Sequence, residues 1–217
     1  MTRPSEERPA DGVVGLVIGG GRSVRFGSEK ATATLDGEPL LIWAVRRLQR
    51  SCVAVAVNAR PGTATERLAR AQDLPVLHDA AGDAAGPLAG VKVGLAWAAR
   101  SGAQALATSP CDAPLLPADL FPRLIAAAGA GAAMAETADG LQPLCAIWPV
   151  TATAVVNDAL RDGAHPATWR LLERIAAVHV RFDDAQAFAN INTPAELAAL
   201  AQRAERLRIG QPGTRRD

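Results

Sequence analysis

The glycine-rich segment of residues 13–30, read VVGLVIGGGRSVRFGSEK, limits most strongly what this chain can fold into. A short apolar stretch runs directly into three consecutive glycines, and two cationic residues follow. These five residues are Gly19, Gly20, Gly21, Arg25 and Lys30. Glycine has no Cβ, so it takes positive φ readily and lets backbone N–H groups close on ligand oxygens, while the two cations add positive charge. The segment therefore predicts a turn after a strand that binds the phosphates of a nucleotide.

The spacing of the glycines excludes two common phosphate-binding loops. A dinucleotide fingerprint needs G-x-G-x-x-G/A, but Val24 stands at the third position after Gly19 and Gly21. A P-loop needs glycine directly before lysine, whereas two residues separate Gly27 from Lys30. Taken alone, the segment is also compatible with an ordinary turn that binds no ligand.

Length and composition predict one compact domain. The chain has 217 residues, 49% of them hydrophobic, so it can bury a core. A typical length of about 150 residues per domain favours a single unit. We expect this domain to span residues 13–207, with flexible polar tails at 1–12 and 208–217.

Charge, hydropathy and cysteine content argue against several classes of protein. The chain carries 23 basic and 22 acidic residues, so we expect no nucleic-acid partner. No apolar run reaches the ~20 residues that cross a bilayer, and the N-terminus lacks the apolar core of a secretory signal, so we expect no membrane partner. Cys52, Cys111 and Cys145 show no paired spacing, which favours buried, reduced thiols in a cytoplasmic protein.

Apolar strand-like runs alternate with helical stretches. Strands are predicted at 14–18, 53–57, 76–77 and 103–108, and helices at 40–50, 65–72, 88–100 and 118–128. Later extended pieces are predicted at 132–135, 144–148 and 178–182. Strands joined through helices form right-handed crossovers and a parallel sheet. The predicted fold is therefore a three-layer α/β nucleotide-binding fold with a mostly parallel central sheet and antiparallel additions toward the C-terminus.

The last helix carries its own start signal. Thr193 is a good N-cap, Pro194 suits the first helical position, and Glu196 completes a capping box with Thr193. The helix is predicted to run from 194 to about 207. Just before it, Asn190 and Asn192 would point the same way in an extended segment, toward a helix N-terminus that favours phosphate.

Loops that follow parallel strands are the usual places for ligand binding. Asn58 follows the first predicted crossover strand, and its amide can hydrogen-bond a base or ribose, although Asn is also an ordinary turn residue. Asp79 follows the strand at 76–77. The small turn at 86–90, read GPLAG, can pass close to a flat ligand, but ordinary turns have the same composition. The three segments are therefore candidates for ligand contact, and each is also compatible with an ordinary turn.

Asp112 is the predicted magnesium ligand. It lies between Pro110 and Pro114, after the strand at 103–108. A nucleoside triphosphate brings Mg²⁺, which commonly takes one or two protein carboxylates together with phosphate oxygens and waters. The alternative is an ordinary loop aspartate. His78, His165 and His179 have no metal-site spacing and are predicted to be structural or surface residues.

Taken in order, these motifs resemble the molybdenum cofactor guanylyltransferase family, whose members join GMP to molybdopterin. The resemblance runs from about residue 14 to 200. Its motifs are Ile18-Gly19-Gly20-Gly21, Arg25-Phe26-Gly27, Lys30, Asn58, Asp79, Gly86-Pro87-Leu88-Ala89-Gly90, Pro110-Cys111-Asp112-Ala113-Pro114, Gln142-Pro143-Leu144 and Asn190-Ile191-Asn192-Thr193-Pro194. Each motif alone is weak, and the ordered set is specific. It implies a single nucleotidyltransferase domain of the nucleotide-diphospho-sugar transferase type.

The resemblance also implies roles for individual residues. The residues implied to bind GTP are Ile18, Gly19, Gly20, Gly21, Lys30, Asn58, Asp79, Gly86, Asp112, Asn190 and Asn192. Among these, Asn58 and Asp79 would hold the guanosine, and Asp112 would bind both Mg²⁺ and nucleotide. Lys30, Arg25 and Asp112 are the implied catalytic residues. GTP and molybdopterin are the implied substrates, with transient contact to cofactor-supplying or molybdoenzyme-maturation proteins.

The implied reaction is in-line attack of the molybdopterin phosphate on the α-phosphorus of GTP, with release of pyrophosphate. Such a transfer depends on positioning and charge neutralisation, so a glycine turn, two cations and one metal ion suffice. No side-chain nucleophile is needed.

The chain departs from the family pattern at a few positions. Mild departures are Gly19, Phe26 and Glu29, where Ala, Met and Asp are usual. The segment 163–168 lacks the basic residues expected to meet an anionic pterin, and Arg170 and Arg174 are candidates to replace them. Two alternatives therefore stay open: a nucleotidyltransferase that uses CTP or another phosphorylated acceptor, and a non-catalytic GTP-binding protein that delivers cofactor.

Overall fold

The computed structural model describes residues 12–19, 29–80, 82 and 86–209, and the side chains of all of these except 162 and 202–209. Most of the two predicted tails lies outside these ranges. Helix α7, the last helix, ends at Ile209, two residues into the segment predicted as the C-terminal tail.

Strands and helices alternate along the described chain. The strands are β1 (Val13–Ile18), β2 (Thr34–Leu35), β3 (Glu38–Pro39), β4 (Val55–Asn58), β5 (Val76–Leu77), β6 (Ala105–Pro110), β7 (Ala133–Thr137), β8 (Gly140–Pro149) and β9 (Val178–Arg181). The α-helices are α1 (Leu40–Gln49), α2 (Ala64–Ala71), α3 (Pro87–Arg100), α4 (Leu120–Ala128), α5 (Thr153–Ala159), α6 (Thr168–Arg174) and α7 (Pro194–Ile209). Among the helices of the described ranges, none has the length and apolar character to span a membrane.

The main sheet has seven strands in the order β5-β4-β1-β6-β8-β7-β9. β1 pairs in parallel with β4 and with β6, and β4 pairs in parallel with β5. β8 is antiparallel to both of its neighbours, whereas β9 runs parallel to β7. The predicted mostly parallel sheet is therefore confirmed, and its antiparallel addition is β8, which returns directly from β7 through a tight turn at Gly140 (φ 113°).

Each face of the sheet carries its own apolar core, because neighbouring residues of a strand point to opposite faces. Val17 of β1 packs into one cluster with Leu41 of α1 and Phe121 of α4. Leu16, its neighbour in β1, packs into a second cluster with Leu95 of α3 and Leu172 of α6. Helices on both faces of one sheet make the three layers that the alternation predicts.

Several elements differ from the sequence prediction in ways that have physical reasons. β4 begins at Val55, because Val53 is 54% exposed and outside the ladder. Helices α5 and α6 were not predicted, since each has seven residues and is too short to show a clear apolar period. The β2–β3 hairpin was also missed, although its turn residues Asp36 (φ 53°) and Gly37 (φ 77°) take the positive φ values that favour Asp-Gly in tight hairpins.

The strand register brings several loops to one edge of the sheet. Ile18 is in register with Asn58 of β4 and with Pro110 of β6, and Asn58 is in register with Leu77 of β5. Four adjacent strands therefore end at the same level. The segments that follow them meet at the carboxyl edge, as expected for a parallel sheet.

The buried hydrogen bond between β6 and β8 gives a test of the core. Trp148 Nε1 donates to Thr108 Oγ1 at 3.3 Å, and that hydroxyl donates to the Ala146 carbonyl at 3.4 Å, with both side chains fully buried. Thr108→Val keeps the shape but leaves the indole N–H without this acceptor, so the free energy of unfolding should fall by about 1–3 kcal/mol in urea denaturation. Thr34→Val, the same change at an exposed strand position, should stay within about 0.5 kcal/mol of the parent. Equal effects would contradict this account.

Candidate active site

A cavity of about 570 Å³ opens at the carboxyl edge of the sheet. It brings together seven of the residues that the sequence predicts for the site: Ile18, Gly19, Lys30, Asn58, Asp79, Gly86 and Asp112. The predicted phosphate-binding residues Gly20, Gly21 and Arg25 lie outside the described residues. The parallel register explains why these seven residues lie together. Each of them lies at or just after the end of a strand, or at the start of a helix, at this edge of the sheet.

Lys30 joins three segments of the chain. Its Nζ lies 3.2 Å from Asp112 Oδ2 and donates to Asn192 Oδ1 at 2.6 Å. The side chains of Lys30 and Asp112 are 17% and 20% exposed, so the ion pair lies at the cavity surface and is still reached by water. A cation and a carboxylate thus stand side by side where a ligand can contact both.

The backbone holds the Asn192 segment against the Asp112 loop. Ile191 N donates to the Asp112 carbonyl at 2.8 Å, and the Ile191 side chain is buried against Leu35 and Leu40. Asn192 therefore faces Lys30. The capping box that the sequence predicts is present as well, since Glu196 N donates to Thr193 Oγ1 at 3.2 Å.

Asn190 lies elsewhere. It is exposed and lines a second, smaller hollow of about 310 Å³ together with Leu115 and Glu196. Asn192 Nδ2 donates to the Asn190 backbone carbonyl at 3.4 Å, but the Asn190 side chain lines this second hollow while the Asn192 side chain contacts Lys30. The N-terminus of α7 is also less open than expected, because Glu196 Oε2 accepts from Asn192 N and Thr193 N.

Asn58 orients Asp79. The Asn58 carboxamide is buried, and its Nδ2 donates to Asp79 Oδ1 at 2.8 Å and to the Leu77 carbonyl at 3.2 Å. Both amide hydrogens are thus directed to protein groups. Asp79 is the carboxylate that this pair presents at the cavity wall.

Helix α3 approaches Asn58 closely at Gly90, and Gly86, the residue before the helix, approaches His165. A Cβ built on Gly90 would lie 2.6 Å from Asn58 Oδ1, and one built on Gly86 would lie 2.2 Å from His165 Nε2. His165 Nε2 is buried and has no hydrogen-bond partner among the residues that the structure describes. The GPLAG turn therefore has a steric reason for its first and last glycines, and His165 packs against a residue of the cavity wall.

The Glu29 side chain packs against the first turn of helix α2. Both Glu29 and that turn line the cavity. Its carboxylate accepts from Ala64 N at 2.8 Å, from Thr65 N at 2.7 Å and from Thr65 Oγ1 at 2.6 Å. Partial burial alone would raise the pKa of the Glu29 carboxyl, but the hydrogen bonds from Thr65 and Ala64 outweigh it and hold that pKa below its ordinary value. Glu29 is therefore a carboxylate at neutral pH.

Cys111 lines the cavity as an unreactive thiol. Burial raises the pKa of Cys111 to about 12, with the Asp112 carboxylate adding to the effect. A thiol with so high a pKa is protonated at neutral pH and is a poor nucleophile. Cys52, Cys111 and Cys145 are all buried and free, as the sequence predicts.

Sequence reasoning missed several residues of the cavity wall. Glu29, Arg60, Thr63 and Thr65 lie there, around the start of α2. The spacing of Thr63 and Glu66 is a capping-box signal, which marks Thr63 as the N-cap of the helix predicted at 65–72. The contact between Glu29 and α2 had no such signal, because it joins residues 35 and 36 positions apart.

Comparisons with known proteins agree with the family resemblance. Residues 15–180 match the MobA-like NTP transferase domain. The chain is 40% identical over 187 residues to a molybdenum cofactor guanylyltransferase of Cereibacter sphaeroides, covering 85% of this chain and 93% of that protein. It is 38% identical over 197 residues to one of Cupriavidus pinatubonensis, covering 86% and 95%. The fold is similar to that of molybdopterin-guanine dinucleotide biosynthesis protein A from Archaeoglobus fulgidus, with a TM-score of 0.69, 21% identity, and coverage of 89% and 99%.

The close approach of α3 to Asn58 gives a test by double substitution. A glycine inside a helix usually costs about 0.5–1 kcal/mol relative to alanine, so Gly90→Ala would normally stabilise. Here its Cβ would displace the Asn58 carboxamide, and we expect a lower free energy of unfolding. In an Asn58→Ala background the obstructing atoms are gone, and the same change should be neutral or stabilising, with a coupling of about 0.5–3 kcal/mol in urea denaturation. The same effect in both backgrounds would contradict the steric explanation.

Proposed function

The chain belongs to the molybdenum cofactor guanylyltransferase family and carries its MobA-like NTP transferase domain, and from this we propose that it transfers GMP from GTP to molybdopterin and releases pyrophosphate. The observation that carries the proposal is the convergence of Lys30, Asp112 and Asp79 with Gly19 on one cavity. These groups supply a cation, two carboxylates and a half-buried strand end, which suit the binding of a nucleoside triphosphate with its metal ion.

Lys30 and Asp112 are the proposed catalytic pair. Lys30 would neutralise the charge that develops on the phosphates as pyrophosphate leaves, and its contacts to Asp112 and Asn192 hold it in place before the nucleotide arrives. Nucleotidyl transfer of this kind relies on positioning and charge rather than on a covalent intermediate. The protonated Cys111 thiol is consistent with direct attack by the molybdopterin phosphate.

Asp112 also fits the proposed role of magnesium ligand. Mg²⁺ prefers oxygen ligands, and in nucleotide sites one or two carboxylates together with phosphate oxygens are enough. The Asp112 carboxylate is partly exposed at the cavity and so can reach such an ion. When bound with the nucleotide, Mg²⁺ supplies further neutralisation of the phosphate charge.

We propose that Asp79 selects guanine. A carboxylate accepts hydrogen bonds only, and guanine offers two neighbouring donors, its N1–H and its exocyclic amine, on one edge. Asn58 holds Asp79 at 2.8 Å and thereby limits its rotation. Gly86 and Pro87, at the start of α3, line the same cavity as Asp79, which supports a base-binding position between them.

The proposal extends to the setting of the reaction. We propose that the substrates are GTP and molybdopterin, that the protein acts in the cytoplasm, and that its product passes by transient contact to molybdoenzyme-maturation proteins. Three free, buried cysteines support a reducing compartment.

Product identification tests the reaction itself. The protein is incubated with molybdopterin, Mg²⁺ and each of the four nucleoside triphosphates in turn, and products are identified by mass. Of the four nucleoside triphosphates, we expect only GTP to give pyrophosphate and the guanine dinucleotide of molybdopterin. Neither product should form when EDTA removes the metal ion. A cytidine product would identify a cytidylyl enzyme, and GTP binding without any product would favour a delivery protein; either result contradicts the proposal.

Substitutions at the catalytic pair test its role. Asp112→Asn and Lys30→Ala should each lower kcat/KM for GMP transfer by about 10²–10³-fold, the usual cost of removing one charge-stabilising group. Asp73→Asn is the matched control, because Asp73 precedes β5 at the opposite end of the sheet and its positive φ (54°) suits Asn. We expect the control to remain within twofold of the parent. Undiminished turnover in both site variants would exclude the assigned roles.

A further inference from the structure

Glu29 makes a long-range contact that helix formation alone does not require. Helix α2 already has a local cap, since Glu66 N donates to Thr63 Oγ1 at 3.2 Å and Gly62 N donates to Glu66 Oε2 at 2.6 Å. The Glu29 carboxylate is a second anion at the same helix start, where free N–H groups and the helix dipole favour negative charge. It arrives from a distant part of the chain and accepts three hydrogen bonds of 2.6–2.8 Å.

The contact fixes the chain directly before Lys30. Because Glu29 and Lys30 are adjacent, the anchoring of Glu29 on α2 limits where the Lys30 backbone can lie. The Lys30 Nζ then contacts Asp112 Oδ2 and Asn192 Oδ1. The lysine is thus held between α2 on one side and the Asp112 loop on the other.

The start of α2 also lies beside Gly19, the first of the three consecutive glycines. A Cβ built on Gly19 would lie 3.2 Å from Thr65 Cγ2, and Gly19 N donates to the Asn58 carbonyl at 3.0 Å. Thr65 therefore lies beside Gly19 and is hydrogen-bonded to Glu29. Thr65 thus lies next to Gly19 and is hydrogen-bonded to Glu29, the two described residues on either side of residues 20–28.

We infer that Glu29 is a positioning residue, which holds Lys30 at the phosphate end of the cavity by anchoring the chain to the first turn of α2. The inference rests on the proposed use of GTP. It assigns to Glu29 an effect on GTP binding and transfer that a mere helix cap would not have.

Two carboxylates at one helix start allow a matched comparison. Glu29→Gln and Glu66→Gln each remove one negative charge from the N-terminus of α2, so both should lower its stability in urea denaturation. Only Glu29→Gln should weaken GTP binding, about tenfold by calorimetry, and lower kcat/KM for GTP about 10- to 100-fold, since small displacements of a positioning group have effects of this size. Glu66→Gln should keep GTP affinity within twofold, because Glu66 does not line the cavity.

The outcomes separate the inference from the proposed function. Equal GTP affinities for the two variants would overturn the inference and leave Glu29 as a helix cap. A parent protein that binds GTP but forms no dinucleotide would contradict the proposed function, and the affinity comparison would still decide on Glu29. A parent protein that binds no GTP would overturn both the inference and the proposed function.

A second variant covers the case in which Glu29→Gln does not fold. Glu29→Asp keeps the negative charge but has a shorter side chain, and its GTP affinity is measured in the same way. Unchanged GTP affinity in Glu29→Asp would also overturn the inference.

Discussion

The parallel pairing of β1 with β4 on one side and β6 on the other positions every part of the candidate site. Ile18 is in register with both Asn58 and Pro110, so three strands end at one level and the residues that follow them converge. This register is held by burial on both faces, where Leu16 and Val17 enter opposite cores. A slip of β1 would exchange the faces of its side chains and break two ladders at once. The geometry of the cavity therefore depends on the packing of the whole sheet.

The main polar groups of the cavity are held in place by other groups of the protein. Lys30 is paired with Asp112 and Asn192, Asp79 is held by Asn58, and Glu29 is held by α2. Groups oriented in advance need little rearrangement when charge develops in a reaction, which is the main way proteins stabilise transferring phosphoryl groups. The Lys30–Asp112 pair also keeps a cation and an anion together at a partly exposed position. A nucleotide with its metal ion would offer a partner of opposite charge to each.

Much of the fold and of the site could be predicted, because the signals are local. The alternation of apolar strand-like runs with helical stretches predicts a parallel sheet. Asn58, Asp79 and Asp112 are predicted as site residues because each follows a predicted strand. The alternation of Asn190 and Asn192 does not by itself show where each side chain lies, because the packing of the intervening Ile191 against Leu35 is a long-range contact. The sequence predicts an extended piece at 144–148 and antiparallel additions, but no local pattern shows that β8 lies between β6 and β7.

The sequence by itself determined the order of the elements, the start of the last helix and the residue types available for phosphate, base and metal. These features depend on side-chain period, capping and glycine content within a few neighbouring positions. Only the tertiary structure decided which of these residues meet. Lys30 meets Asp112 and Asn192 across 82 and 162 positions, Glu29 meets α2, and His165 lies against Gly86. Such contacts form when helices pack on both apolar faces of the sheet and bring distant segments together. A local sequence pattern does not indicate which distant residues will be in contact.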